Sequence, residues 1–202
     1  MDSEIIIVSG LPRSGTSLMM QMLANGGLDV VTDNVRAADV DNPRGYYEFE
    51  QVKGIKQDAS WLPNRRGKAV KMVSQLLYHL PASERYRIIF MERDLDETLL
   101  SQERMLRRIG QSMAPREELK RSYALHLRRL HAWLRLQRHM EVLRVSYNEL
   151  LQDPAREAGR VSEFLDGTLS VERMVRAVDW SLYRNRRNAA ERSDDLAGGG
   201  SV

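Results

Sequence analysis

A run of four β-branched residues, Ile5-Ile6-Ile7-Val8, breaks directly into Ser9-Gly10, and this junction limits the fold more than anything else in the chain. Such a run reads as a buried strand entering a tight turn. Gly10-Leu11-Pro12-Arg13-Ser14-Gly15-Thr16-Ser17 then leads into SLMMQMLAN, whose apolar residues recur at helical spacing until Gly26-Gly27 stops them. Strand, glycine loop and helix in that order aim backbone N–H groups at one point beside a helix N-terminus, where an anion is stabilised. Gly10 and Gly15 permit the tight turn, and Thr16 and Ser17 add hydroxyl donors.

The loop keeps the Gly-x4-Gly spacing of a Walker A motif, and Ser17 stands where that motif has its magnesium-binding hydroxyl. Thr16, however, occupies the lysine position, and the cation comes earlier, as Arg13. A nucleoside triphosphatase uses that lysine on the β- and γ-phosphates. Its loss argues against triphosphate hydrolysis while leaving a loop suited to a phosphate-like group.

The remaining pattern extends the first unit. Further strands are expected at Leu28–Val31, Ala69–Val73, Arg87–Met91 and Glu141–Val145, with a turn-rich loop over Thr32–Tyr47. Helices are expected at Asp94–Arg108, Arg116–His139, Pro154–Leu165 and Ser170–Val178. In the second of these, Leu119, Tyr123, Leu127, Leu130 and Leu134 form a core-facing stripe. Alternation of strands and helices predicts a three-layer α/β/α fold, with a central, mostly parallel sheet of the phosphate-loop nucleotide-binding type. With 202 residues and no linker-like segment, the chain reads as one domain over residues 1–193 and a glycine-rich, disordered tail over 194–202.

Cysteine is absent, which excludes disulfides, thiolate metal sites and a cysteine nucleophile. No apolar run reaches the length of a membrane span, and the N-terminal stretch is too short for a signal peptide, so the expectation is a cytoplasmic protein. A net charge of only +3 and the lack of a recognised motif argue against nucleic-acid binding.

Pro12-Arg13-Ser14-Gly15-Thr16-Ser17 resembles the 5′-phosphosulfate loop of the sulfotransferases that use 3′-phosphoadenosine 5′-phosphosulfate (PAPS). Cytosolic members of that family carry lysine at the Arg13 position, and many Golgi and bacterial members carry arginine. A second match is Arg93, at the end of RIIFMER, with Ser101 eight positions later. In the family an arginine and a serine so spaced bind the donor's 3′-phosphate. A strand's C-terminal end is where open α/β sheets bind ligands, and eight residues bring a helix back to nearly the same face. A third match, VSYNELLQDPAREAGRVSEFL, resembles the segment in which a strand ends in a Tyr-Glu-like pair. By that resemblance Tyr147 lies near the adenine; packing of a strand-end tyrosine on the core is the alternative.

The resemblance implies PAPS as donor, adenosine 3′,5′-bisphosphate (PAP) as product, no required metal, and a small-molecule or glycan acceptor. Sulfuryl transfer builds negative charge on the leaving oxygen, so Arg13 and the loop N–H groups are the expected stabilisers. Lys71 is expected to add positive charge at the sulfuryl oxygens. The family's histidine two positions after a strand lysine is replaced here by Val73, and Glu48 is the expected base, with Glu50 and His79 as alternatives. A late basic cluster, Tyr183-Arg184-Asn185-Arg186-Arg187, offers Arg184 or Arg186 as a further 3′-phosphate contact. Asp41, Asn42 and Arg44 are candidates for shaping the acceptor site. The competing readings are a nucleotide or small-molecule kinase with a degenerate loop, and a non-catalytic nucleotide-binding member.

Overall fold

A computed structural model describes residues 3–33, 35, 38, 39 and 45–179. Four strands form one sheet in the order β2-β1-β3-β4: β1 is Ile5–Gly10, β2 Ala69–Val73, β3 Tyr86–Glu92 and β4 Met140–Ser146. Every pairing is parallel, with Gly10 opposite Val73 on one side and Met91 on the other. All six β1 residues are buried, as an interior strand covered on both faces requires.

Alternation along β1 separates two cores. Ile6 and Val8 join Ile89, Met91 and Val145 beneath helices α1 (Thr16–Gly26), α4 (Tyr147–Gln152), α5 (Pro154–Phe164) and α6 (Val171–Val175). Ile5 and Ile7 join Ile88, Phe90, Val70 and Met72 on the opposite face, beneath Leu130 and Leu134 of α3 (Arg116–Leu134). The helix α2 (Leu95–Arg108) contributes Leu99 to a smaller cluster with Leu11 and Tyr123. The expected three layers are therefore present, and the α3 stripe faces inward, with Leu119 and Leu127 partly buried at its margin.

Besides a shorter α6, which ends at Val175 rather than Val178, three boundaries differ from the sequence reading. Leu28–Val31 is reduced to a single parallel bridge from Val30 to Ala69, with Asp29 exposed beside it, so the sheet has four strands. α3 ends at Leu134 rather than His139, and the chain turns there through Leu136 N–H donating to Trp133 O at 3.0 Å. Tyr147 begins a helix instead of ending a strand, because Ser146 caps it by accepting from Glu149 N–H at 3.2 Å. The tail over 194–202 lies outside the described residues.

Candidate functional site

The loop between β1 and α1 is held by close approach. A Cβ on Gly10 would lie 2.4 Å from Ser14 Oγ and 2.5 Å from Met91 O, so only glycine fits where β1 meets β3. Gly15 caps α1 at φ 99°, and a Cβ there would lie 2.3 Å from the Tyr147 ring. Arg13, too, sits in the left-handed region at φ 69°. A non-glycine residue there is strained, and such strain clusters at ligand-binding turns. No side chain caps α1, and its first turn contains no acid, so the positive end of its dipole faces the loop unopposed by a carboxylate of its own.

On the β3 flank, four elements converge. Arg93 follows β3 and precedes Asp94, which caps α2 by accepting from Asp96 and Glu97 N–H. Its Nε donates to Glu97 Oε2 at 3.1 Å and Nη1 to Arg13 O at 3.4 Å. Both side chains of the Arg93–Glu97 pair are nearly buried, at 6% and 2% exposure. The guanidinium also lies over the Tyr147 ring, 4.5 Å from its centroid. Arg13 Nε donates to Ser101 Oγ at 3.1 Å, which joins the loop to the serine of the second motif.

On the β2 flank, Lys71 Nζ donates to Ser17 Oγ at 3.3 Å and to Tyr46 O, and lies 3.9 Å from Glu48 Oε1. Ser17 Oγ donates to the same Tyr46 carbonyl at 3.3 Å. The phosphate loop therefore stands between Lys71 with Glu48 on one side and Arg93 with Ser101 on the other.

Pro12, Arg13, Ser14, Gly15, Thr16, Ser17, Glu48, Lys71, Arg93, Ser101 and Tyr147 thus gather at the C-terminal edge of the sheet. Arg184, with Arg186, and the acceptor candidates Asp41, Asn42 and Arg44 lie outside the described residues. Glu50 is exposed and pairs with Lys53 at 2.7 Å, and His79 is exposed at the end of the 3-10 turn Ser74–His79.

Sequence reasoning missed several polar groups. Glu97 is the buried anion under Arg93, and Asn148 Nδ2 donates to it at 3.2 Å; the Arg-x3-Glu spacing across a helix start was the available signal. Ser14 Oγ and Thr98 Oγ1 are buried without a hydrogen-bond partner among the described residues, and both line a cavity of about 290 Å³ beside the loop. Glu92 and His131 line its other side, joined at 3.0 Å, and Arg144 grips Glu92 through two bonds of 2.9 Å. Burial pushes the Glu92 carboxyl up, but the hydrogen bonds from His131 and Arg144 outweigh it and hold it below the usual carboxylate range. Among the described residues, no three metal-ligating side chains cluster, and no helix is long and apolar enough to cross a membrane.

A site of this form fits a phosphate- or sulfate-bearing ligand: two unpartnered buried hydroxyls, a bare helix N-terminus and three cations surround one loop. Comparison with solved structures gives the same architecture. The sulfotransferase domain of the Synechococcus PCC 7002 olefin synthase matches with a TM-score of 0.52 at 15% identity, over 94% of this chain and 82% of that one. A sulfotransferase from Alicyclobacillus acidocaldarius matches with 0.51 at 14%, over 96% and 90%. Mouse sulfotransferase SULT7A1, solved in complex with PAP, matches with 0.50 at 14%, over 94% and 68%. Likeness at such identity speaks for the fold alone. No curated protein matches the chain by sequence. A family model described as a sulfotransferase domain matches residues 3–197, nearly the whole length. The chain belongs to the sulfotransferase domain family.

Proposed function

We propose that the chain transfers a sulfuryl group from PAPS to a hydroxyl or amine of a small-molecule or glycan acceptor, releasing PAP, in the cytoplasm. The observation that carries this reading is the meeting of Arg13 and Ser101 at 3.1 Å beside Arg93, in front of the α1 N-terminus. One cluster there offers donors to two separate phosphates, as a 3′,5′-bisphosphorylated nucleotide requires. The PAP complex of SULT7A1 supports the same choice of nucleotide.

In this reading the loop N–H groups and Arg13 hold the 5′-phosphosulfate, and Arg93 with Ser101 holds the 3′-phosphate. Tyr147, already stacked against Arg93, offers its ring to the adenine. As the bond to the leaving oxygen lengthens, Arg13 and the α1 N-terminus meet the charge developing there. Lys71 Nζ supports the sulfuryl oxygens, and Glu48, 3.9 Å from it, takes the acceptor's proton. The acceptor oxygen or nitrogen bonds to sulfur, and the electron pair of the broken S–O bond stays on the nucleotide phosphate. The sulfuryl group carries less charge than a γ-phosphoryl group, so these side chains suffice without a metal ion.

Calorimetric titration with PAP in the absence of magnesium, beside ATP with magnesium, tests the reading. Tight binding of PAP and weak binding of ATP is the expected result. Preference for magnesium-ATP would replace it with the kinase reading, and binding of neither nucleotide would replace it with a non-catalytic role.

A further inference from the structure

Between Leu119 and His139 the chain has six basic residues, Lys120, Arg121, Arg128, Arg129, Arg135 and Arg138, and no acidic one. Elsewhere in this region cations are matched: Arg116 and Lys120 both pair with Asp96, Arg107 with Glu103 and Arg144 with Glu92. Arg121, Arg128, Arg135 and Arg138 are all exposed and have no ion pair or side-chain hydrogen bond among the described residues.

Their placement is ordered. At about 100° per residue, Arg121, Leu125, Arg128, Ala132 and Arg135 fall within an arc of about 80°, opposite the inward-facing Tyr123, Leu130 and Leu134, and Leu136 follows in the turn that ends the helix. Leu125 and Leu136 are exposed at 36% and 77%, and Ala132 is exposed between them. Arg135, the C-cap, keeps helical dihedrals, so the arc runs about 20 Å from Arg121 to the end of α3. Beyond the acidic first turn of α3, the face is a short apolar ridge edged by arginines that have no ion-pair partner among the described residues. The phosphates or sulfates of a polyanion meet such arginines but offer the neighbouring leucines little apolar surface to enter. A lipid surface takes both, because the guanidinium groups meet headgroup phosphates while the leucines enter the acyl boundary.

The geometry points to the outward face of α3 as a docking surface for anionic phospholipid membranes. This inference does not depend on the sulfotransferase reading. The face lies on the outer side of a covering layer, whereas the phosphate loop opens at the sheet's C-terminal edge, so docking leaves the loop accessible.

The test is co-sedimentation of the full chain with vesicles of phosphatidylcholine alone, and with roughly one third phosphatidylserine, at about 0.15 and 0.5 M salt. The expected result is binding to the anionic vesicles only, weakened at least tenfold by the higher salt. Arg128→Gln/Arg135→Gln should lower the partition coefficient at least tenfold, and Leu136→Ser several-fold at unchanged charge. Both substitutions fall on exposed side chains, and an unchanged melting temperature shows that the variants stay folded. Equal binding to neutral vesicles, or variants that bind like the parent, overturns the inference. So does heparin or RNA binding without vesicle binding, or a self-association that the arginine variants abolish.

Discussion

The Arg93 guanidinium is held between a buried carboxylate and an aromatic face: Glu97 Oε2 is 3.1 Å from its Nε, and the Tyr147 ring centroid is 4.5 Å from its central carbon. The pair fixes a cation at the end of β3 before any ligand arrives. It also shapes the mutational test, because deleting the arginine would strand Glu97 at 2% exposure, a loss of roughly 3–5 kcal/mol.

Arg93→Lys is therefore the informative variant. It keeps the charge over Glu97 and loses the planar fork. PAP affinity should fall about tenfold, the cost of one charge-assisted contact, with adenosine 5′-monophosphate affinity unchanged. Calorimetry with both nucleotides decides; equal losses for the two would remove the 3′-phosphate assignment.

Gly15→Ala should damage fold and site together. The new methyl group meets the Tyr147 ring at 2.3 Å, and the backbone is left-handed at φ 99°. A loss of about 1–3 kcal/mol in urea unfolding is expected, accompanied by weakened PAP binding. Adding Tyr147→Ala should recover part of the stability, since it removes the clash but not the backbone strain.

Arg13→Ala should leave the fold intact and lower PAPS turnover by about 10²-fold or more, the loss typical of a removed transition-state donor. Glu48→Gln should slow turnover comparably while PAP affinity stays within a few-fold, the split expected of a base that touches only the acceptor. Single-turnover release of PAP separates these effects from binding, and parental turnover in either variant would remove the assigned role.

A pH dependence should arise at His126. Its Nε2 lies 2.9 Å from Ser74 Oγ, and burial, reinforced by the charge of His131, depresses its folded-state pKa below the ordinary histidine value. The native state thus binds a proton there less readily than the unfolded chain does. Its stabilising contribution is complete above the unfolded pKa, near 6.5, and is lost as pH falls through the lower folded value. Urea midpoints followed downward from about pH 7.5 should decline through this window. His126→Gln should flatten that part of the curve.

Much of this was visible in the residues alone. Ile5–Val8, Ala69–Val73 and Arg87–Met91 are strands because short, largely apolar runs containing β-branched residues and bounded by turns leave little choice. The loop, and the placement of Arg93 and Ser101 beside it, were legible because spacing carries geometry on a strand and the helix behind it. Leu28–Val31 misled because a short apolar run does not reveal how many of its residues find a partner; only Val30 bridges to β2. The start of α4 was written in Ser146-Tyr147-Asn148-Glu149, a capping pattern obscured by the strand reading of the residues before it. Glu92, His131 and Arg144 could not have been joined by spacing, since three separate elements bring them together.

The placement of β1 between β2 and β3 has a consequence for how such a protein diversifies. Lys71 rides on one neighbouring strand and Arg93 follows the other, so the two flanks of the phosphate loop are inherited as separable parts. If the proposed roles hold, substitutions around Glu48 and Lys71 would redirect which molecule is modified while leaving the nucleotide contacts proposed for Arg13, Arg93 and Ser101 in place.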